Sequence, residues 1–272
     1  LDDSIRHAMT KLSHIHFTTN KYAMNRILAM GEEKWRVKNF GFPGIDLIKE
    51  KKFSDKNSIV NALKILPTKP IVLFTQHSVT TEYENSIKQV KPSLRAITKL
   101  LREDIQVIIT YPNNDAGGKK IIREIEFWYK KNQSFSNLII SKSLGRSLYY
   151  GILNLAKNIN NRVVCLGNSS SGIKETAIFK CPTVNIGTRQ KSRLRGNNVI
   201  DVDYKETEIY EAVIKGLYNE PFRKKASTTK NLYGAGNTGK KIANFLAKLK
   251  LNKQLLQKKM TIKGIKKNSW YR

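Results

Sequence analysis

Short apolar runs of strand length recur along this chain, and helix-length amphipathic segments separate most of them. The runs are "HIHF" (14–17), "PIVLF" (70–74), "IQVIIT" (105–110), "NLII" (137–140), "RVVCLG" (162–167), "PTVNIG" (182–187) and "NVIDV" (198–202). Most are apolar along their length instead of strictly alternating with polar residues, so strands buried on both faces are expected. Helical periodicity falls over 84–102, 118–131, 146–157, 172–179 and 206–218. Strands of this kind alternating with helices predict an α/β fold with a parallel sheet, spanning roughly residues 67 to 217.

The first fifty residues form a different group. A helix (2–12), a strand (14–18), a helix (21–30) and an extended segment ending in "GFPGID" predict part of a second α/β unit. The polar "KEKKFSDKNS" serves as a linker, and a helix over 237–249 follows the turn "YGAGNTG". The division expected is 1–55, 56–236, a helical segment 237–250 and a basic tail 251–272. The chain starts without methionine and directly in helix-like sequence, which suggests a missing upstream part.

Composition narrows the function classes. No run of about 18 apolar residues occurs, so no membrane helix is expected, and the acidic start does not fit a signal peptide. Cys165 and Cys181 both lie in strand-like apolar segments, which suits buried thiols in a reducing, cytoplasmic setting. No metal-ligand spacing appears, and no cofactor is expected. The net charge of +29 would suit a nucleic-acid binder, yet no acidic residue follows Glu220 while 15 Lys and Arg do. With no binding motif beside it, that charge reads as a solvated lysine surface, and a nucleic-acid partner is not expected.

In an open parallel sheet, ligands gather at the carboxyl ends of the strands, so the loops there carry the chemistry. After "VVCLG" comes "NSSSGIKE": Ser170 and Ser171 bring hydroxyls, Gly172 permits close approach, and exposed helix N–H groups attract phosphate. Plain serine capping remains the alternative. Glu175 misses the capping-box position, counted from either Ser170 or Ser171, and a ribose diol is one partner that would suit its carboxylate. "PTVNIG" leads into "TRQKSRLRG", where Arg189, Arg193 and Arg195 either reach a diphosphate or form a solvated basic loop. His77, in "TQHSVTTE", lies two residues beyond its strand and suits acid–base work, phosphate binding or a structural role equally. "YPNNDAGG" and "SLGRSLYYGIL" could line the same edge. At the front, Asp2, Asp3, Arg6 and His7 crowd the first helix, where a favourable helix dipole explains the carboxylates and proton transfer by Asp3 is the sharper reading.

Taken in order, "DDSIRHAMTKLSHIHF", "QHSVTTE", "YPNNDAGG", "SLGR", "GNSSSGIKE" and "PTVNIGTRQKSRLR…NVIDVDY" resemble the hydrolysing UDP-N-acetylglucosamine 2-epimerases of sialic-acid-type sugar biosynthesis, from residue 1 to about residue 247. The resemblance implies a two-domain fold of the glycosyltransferase-B kind and a nucleotide-sugar substrate. It implies a nucleotide loop at Ser170, Ser171, Gly172 and Glu175 with the glutamate on the ribose, a diphosphate contact at Arg189, and catalytic positions at His77 and Asp3, with Arg6 and His7 beside the latter. It also implies a homo-oligomer when full length. The family's first domain begins about a hundred residues earlier, so either a longer enzyme or a separately encoded amino-terminal half is expected. Ser78 stands where the family usually has proline, and Lys180 where it has glycine.

Overall fold

A computed structural model describes residues 2–261. The chain forms two units: a smaller one built from its two ends, up to Lys51 and from Tyr233 onward, and a larger one over Lys52–Leu232.

The smaller unit starts with α1 (Asp2–Leu12), β1 (His16–Thr18), α2 (Lys21–Ala29), β2 (Val37–Asn39) and α3 (Gly44–Lys49). β1 and β2 pair in parallel, His16 opposite Val37. The chain later returns to this unit with α11 (Thr238–Ala247) and α12 (Lys253–Leu256); the elements numbered between belong to the larger unit. Asp46 of α3 caps α11, its two carboxylate oxygens accepting from Thr238 N–H (2.9 Å) and Gly239 N–H (2.7 Å). Those donors have no partner within the helix, and a carboxylate also complements its positive end.

The segment after α11 carries no apolar pattern, yet through residue 261 it is pinned. The fully buried Arg36 donates to the carbonyls of Gln254 (2.7 Å), Leu255 (2.8 Å) and Gln257 (3.2 Å), and to Glu33 (2.6 Å). Glu32, 3% exposed, accepts from Lys11 and Lys258 and faces His16 at 3.2 Å. Burial would raise the Glu32 pKa, but these partners together hold it below the ordinary range.

The larger unit contains α4 (Lys56–Leu63), β3 (Ile71–Thr75), α5 (Ser86–Arg102), β4 (Gln106–Thr110), α6 (Gly118–Lys130), β5 (Leu138–Ser141), α7 (Gly145–Leu155), β6 (Val163–Gly167), α8 (Ser171–Lys174), β7 (Thr183–Ile186), β8 (Val199–Val202), α9 (Glu206–Tyr218) and α10 (Glu220–Ser227). All six strands are parallel, in the order β5-β4-β3-β6-β7-β8. Every residue of β3, β4, β6 and β7 is buried, the reason these strands read as unbroken apolar runs. One face, with Val72, Phe74, Val164 and Leu166, packs against Val90, Leu94, Ile97 and Leu101 of α5, Ile121 and Ile125 of α6, and Ile209, Val213 and Leu217 of α9. Those helix positions recur at three and four residues, the stripe an amphipathic helix presents to a sheet.

Two expectations need correction. The helix foreseen over 172–179 is only α8, a single turn. Thr176 Oγ1 turns back onto Gly172 O (2.6 Å), and Lys180 holds a left-handed φ of 57° that no helix accommodates. The polar stretch read as a linker contains the start of α4, which Asp55 caps through Ser58 N–H (2.8 Å).

Candidate nucleotide-binding site

The connection from β3 leads to β4 on one side, and that from β6 leads to β7 on the other. The strand order therefore reverses between two neighbours, the place where an open α/β sheet takes a ligand in the crevice at its strand ends. Their last ladder pair is Thr75 opposite Gly167. Gly167 turns there with φ 128°, and a Cβ would lie 1.9 Å from Thr75 O, so only glycine fits.

His77 lies just past β3, as the sequence places it. Its Nδ1 is 3.1 Å from both the backbone N and the side-chain Oδ1 of Asn113, in the loop after β4. With its proton on Nε2, the neutral ring can accept from that backbone N–H at Nδ1. Burial first, and then the nearby Arg189 guanidinium, depress its pKa to about 4, outweighing Asn113 and Asp115. His77 is thus a neutral N–H donor at pH 7.

Arg189, in the loop after β7, donates to Asn168 O (3.2 Å) and faces Asp115 Oδ2 at 3.5 Å. Asp115 also accepts from Asn113 Nδ2 (2.8 Å). The other two arginines of that loop turn to its own framework: Arg193 to Gln190 Oε1 (3.0 Å), Arg195 to Gln190 O (2.7 Å) and Asp201. Geometry therefore separates Arg189 from two neighbours that looked equivalent in sequence.

The serine loop is organised differently from a simple cap. Ser170 occupies the N-cap position of α8 without a side-chain bond, and the hydroxyl of Ser169 accepts from Ser171 N–H at 3.4 Å. One turn carries little macrodipole, so anion attraction here rests on local N–H groups and cations. Gly172 allows close packing on the sheet, since its missing Cβ would meet Thr183 Cγ2 at 3.1 Å. Ser171 Oγ donates to Glu175 Oε2 (2.6 Å), and the Tyr150 hydroxyl of α7 also bonds Glu175. Glu175 is 9% exposed, and burial raises its pKa against the pull of those hydroxyls, Lys174 and Arg146. Beneath it the Cys165 thiol is pushed up to about 12 by burial and is chemically quiet.

Asp3, Arg6 and His7 lie on α1 of the smaller unit, where Arg6 and His7 are exposed; the side chain of Asp3 lies outside the described residues. Sequence reasoning placed the loops that hold Asn113, Asp115, Asn168 and Gln190 at this edge but singled out none of these four residues. Asn168 carried one signal: it directly follows a strand-ending glycine and opens the serine stretch. Among the described residues no group of three His, Cys, Asp or Glu is placed to hold a metal ion, and no helix is long and apolar enough to cross a membrane. A cavity of about 750 Å³, lined by Arg162, Pro221 and Arg223 among others, opens at the amino end of β6, opposite these loops.

Comparison with known proteins gives consistent matches. The family described as UDP-N-acetylglucosamine 2-epimerase matches residues 1–247. A "GDP/UDP-N,N'-diacetylbacillosamine 2-epimerase (hydrolyzing)" of Campylobacter jejuni is 35% identical over 76% of this chain and 52% of its own. A "UDP-N,N'-diacetylbacillosamine 2-epimerase (hydrolyzing)" of Legionella pneumophila is 34% identical over 95% of this chain and 64% of its own. This chain therefore spans about half to two thirds of the length of these relatives. A solved UDP-GlcNAc 2-epimerase from Neisseria meningitidis, bound to UDP-GlcNAc, superposes with a TM-score of 0.69 and 20% identity, over 88% of this chain and 63% of that one. That likeness concerns the fold, which is α/β of the glycosyltransferase-B kind.

Proposed function

Because this chain belongs to the UDP-N-acetylglucosamine 2-epimerase family, we propose that its larger unit grips the diphosphate and ribose of a UDP-linked 2-acetamido sugar, for hydrolysing 2-epimerisation. The observation that carries this reading is the convergence of His77 and Arg189 on Asn168, where the strand order reverses. A cation and a neutral N–H donor at that crevice suit a leaving group that gains negative charge.

In this reading a base removes the proton from C2 of the sugar as the C1–oxygen bond to the diphosphate breaks. UDP and a C1=C2 unsaturated sugar result. Water then adds, its oxygen to C1 and a proton to C2 on the other face, releasing the free sugar with C2 inverted. Arg189 and the serine loop stabilise the departing diphosphate, and His77 Nε2–H hydrogen-bonds its oxygen. The anion's charge would lift the His77 pKa, drawing it toward the range where it can transfer a proton. Asp3 is the candidate for proton transfer at carbon, with Arg6 and His7 beside it. Glu175 uses part of its acceptor capacity on Ser171 and Tyr150, and its remaining lone pairs suit a ribose diol. The relatives' names make UDP-N,N'-diacetylbacillosamine as reasonable a substrate to assay as UDP-N-acetylglucosamine. Cytoplasmic location and homo-oligomeric assembly of the full-length protein belong to the same proposal.

A second reading is a binding half that acts only with a separately encoded amino-terminal chain; the share of the relatives' length that this chain spans fits both readings alike. Calorimetric titration with UDP and GDP tests the common core of both. UDP should bind, and Glu175→Ala should weaken it by about tenfold, the loss of one charge-assisted hydrogen bond or more. A wild-type chain that ignores both nucleotides would sink the nucleotide site.

A further inference from the structure

The crevice described above has a single residue at its centre, and that residue need not touch a ligand. Beyond the last backbone rung between β3 and β6, Asn168 N–H donates to Thr75 O (3.2 Å). Its side chain then takes over from the ladder. Oδ1 accepts from His77 N–H (2.7 Å) and Nδ2 donates to His77 O (2.8 Å), so one amide satisfies both backbone groups of one residue. Its own backbone carbonyl faces the other way and accepts from Gln190 Nε2 (2.8 Å) and Arg189 Nη1 (3.2 Å). Asn168 is 1% exposed and Gln190 wholly buried, so the bond between them is shielded from solvent, while those to His77 and Arg189 are partly so.

Resting on the proposed function, we infer that Asn168 is the positioning residue of this site: it sets the His77 loop through its side chain and Arg189 through its carbonyl, holding donor and cation in one register. The chemistry suits asparagine. An aspartate keeps the acceptor for His77 N–H but turns an oxygen toward His77 O, and a leucine of similar size offers neither bond. The same two-bond grip occurs at the other end of the sheet, where the Gln106 amide holds Leu66 N–H (2.7 Å) and Leu66 O (2.8 Å). There it closes an ordinary loop. What distinguishes Asn168 is what it holds.

The test uses the whole chain. Proton NMR follows the ring of His77, one of four histidines, assigned with His77→Gln, in wild type, Asn168→Ala and Asn168→Ser. UDP affinity is measured on the same samples. The inference expects the His77 titration to move from about 4 toward the ordinary value of 6.5 in both variants. It also expects UDP affinity to fall by about tenfold or more, as misplacement by an ångström can do. Serine can restore one of the two bonds, so it should fall between alanine and wild type. A purely structural asparagine would lower the melting temperature while leaving the His77 titration and UDP affinity of the folded protein unchanged, and that result overturns the inference. Should Asn168→Ala fail to fold, the serine variant decides the matter by the same two readouts. Failure of the wild type to bind UDP would instead overturn the proposed function, while the titration still decides whether Asn168 positions His77.

Discussion

At the scale of single residues, Lys180 shows how a local conflict is tolerated. Its backbone is left-handed, a conformation that costs a side-chain-bearing residue about 1 kcal/mol, while its ammonium donates to Thr229 O at 2.6 Å. Lys180→Gly relieves the backbone and loses the bond; Lys180→Ala loses the bond and keeps the strain. Glycine should therefore be more stable than alanine by about 1 kcal/mol in urea unfolding. The sequence carried a trace of this, because glycine is the residue that the family resemblance expects there. His77 and Glu175 were also legible, since each follows a strand end along the chain in a loop rich in polar residues. The stretches that hold their partners, "YPNNDAGG" with Asn113 and "SLGRSLYYGIL" with Tyr150, were placed at the same edge, but which of their side chains make the contacts was not legible, because contacts between distant segments leave no spacing to read.

At the scale of elements, strand positions were legible within a residue or two, since burial on both faces writes an apolar run directly into the sequence. The single turn α8 and the strapped segment 252–261 were not. Both depend on polar side chains satisfying backbone groups, and such pairing has no periodicity. Arg36 is the clearest case: it is fully buried and its guanidinium gathers three carbonyls from residues 254–257. Arg36→Ala leaves those carbonyls without their donor and Glu33 without its cation. It should destabilise the smaller unit by about 2–4 kcal/mol and expose residues 252–261 to early cleavage in limited proteolysis. Unchanged cleavage would mean that Lys258, with Lys259 and Thr261, holds the segment without Arg36.

For the whole molecule, the groups whose ionisation folding alters point mostly one way. Burial lowers the pKa of His77 to about 4 and also lowers that of His16, while cationic partners hold Glu32, Glu33 and Glu206 below the usual range. A histidine depressed in the fold binds fewer protons than when unfolded, so its share of stability is complete above about pH 6.5 and drains away toward pH 4. The carboxylates follow the same sign at lower pH. Glu175, raised by burial, opposes them and gains stability on protonation. A net charge of +29 that grows as carboxylates protonate adds self-repulsion on the acid side. Thermal melts should therefore fall steadily below pH 6.5, and added salt should recover part of the loss; a flat profile between pH 7 and 4.5 would contradict these assignments. By itself the sequence determined the parallel sheet, the strand ends that bear the candidate site, and the family, because burial patterns and short motifs are local properties of the chain. Only the tertiary structure decided which arginine reaches the crevice and which asparagine ties its loops together. Those choices depend on strands β3, β6 and β7 being neighbours, and adjacency in space is set by packing, not by position along the chain.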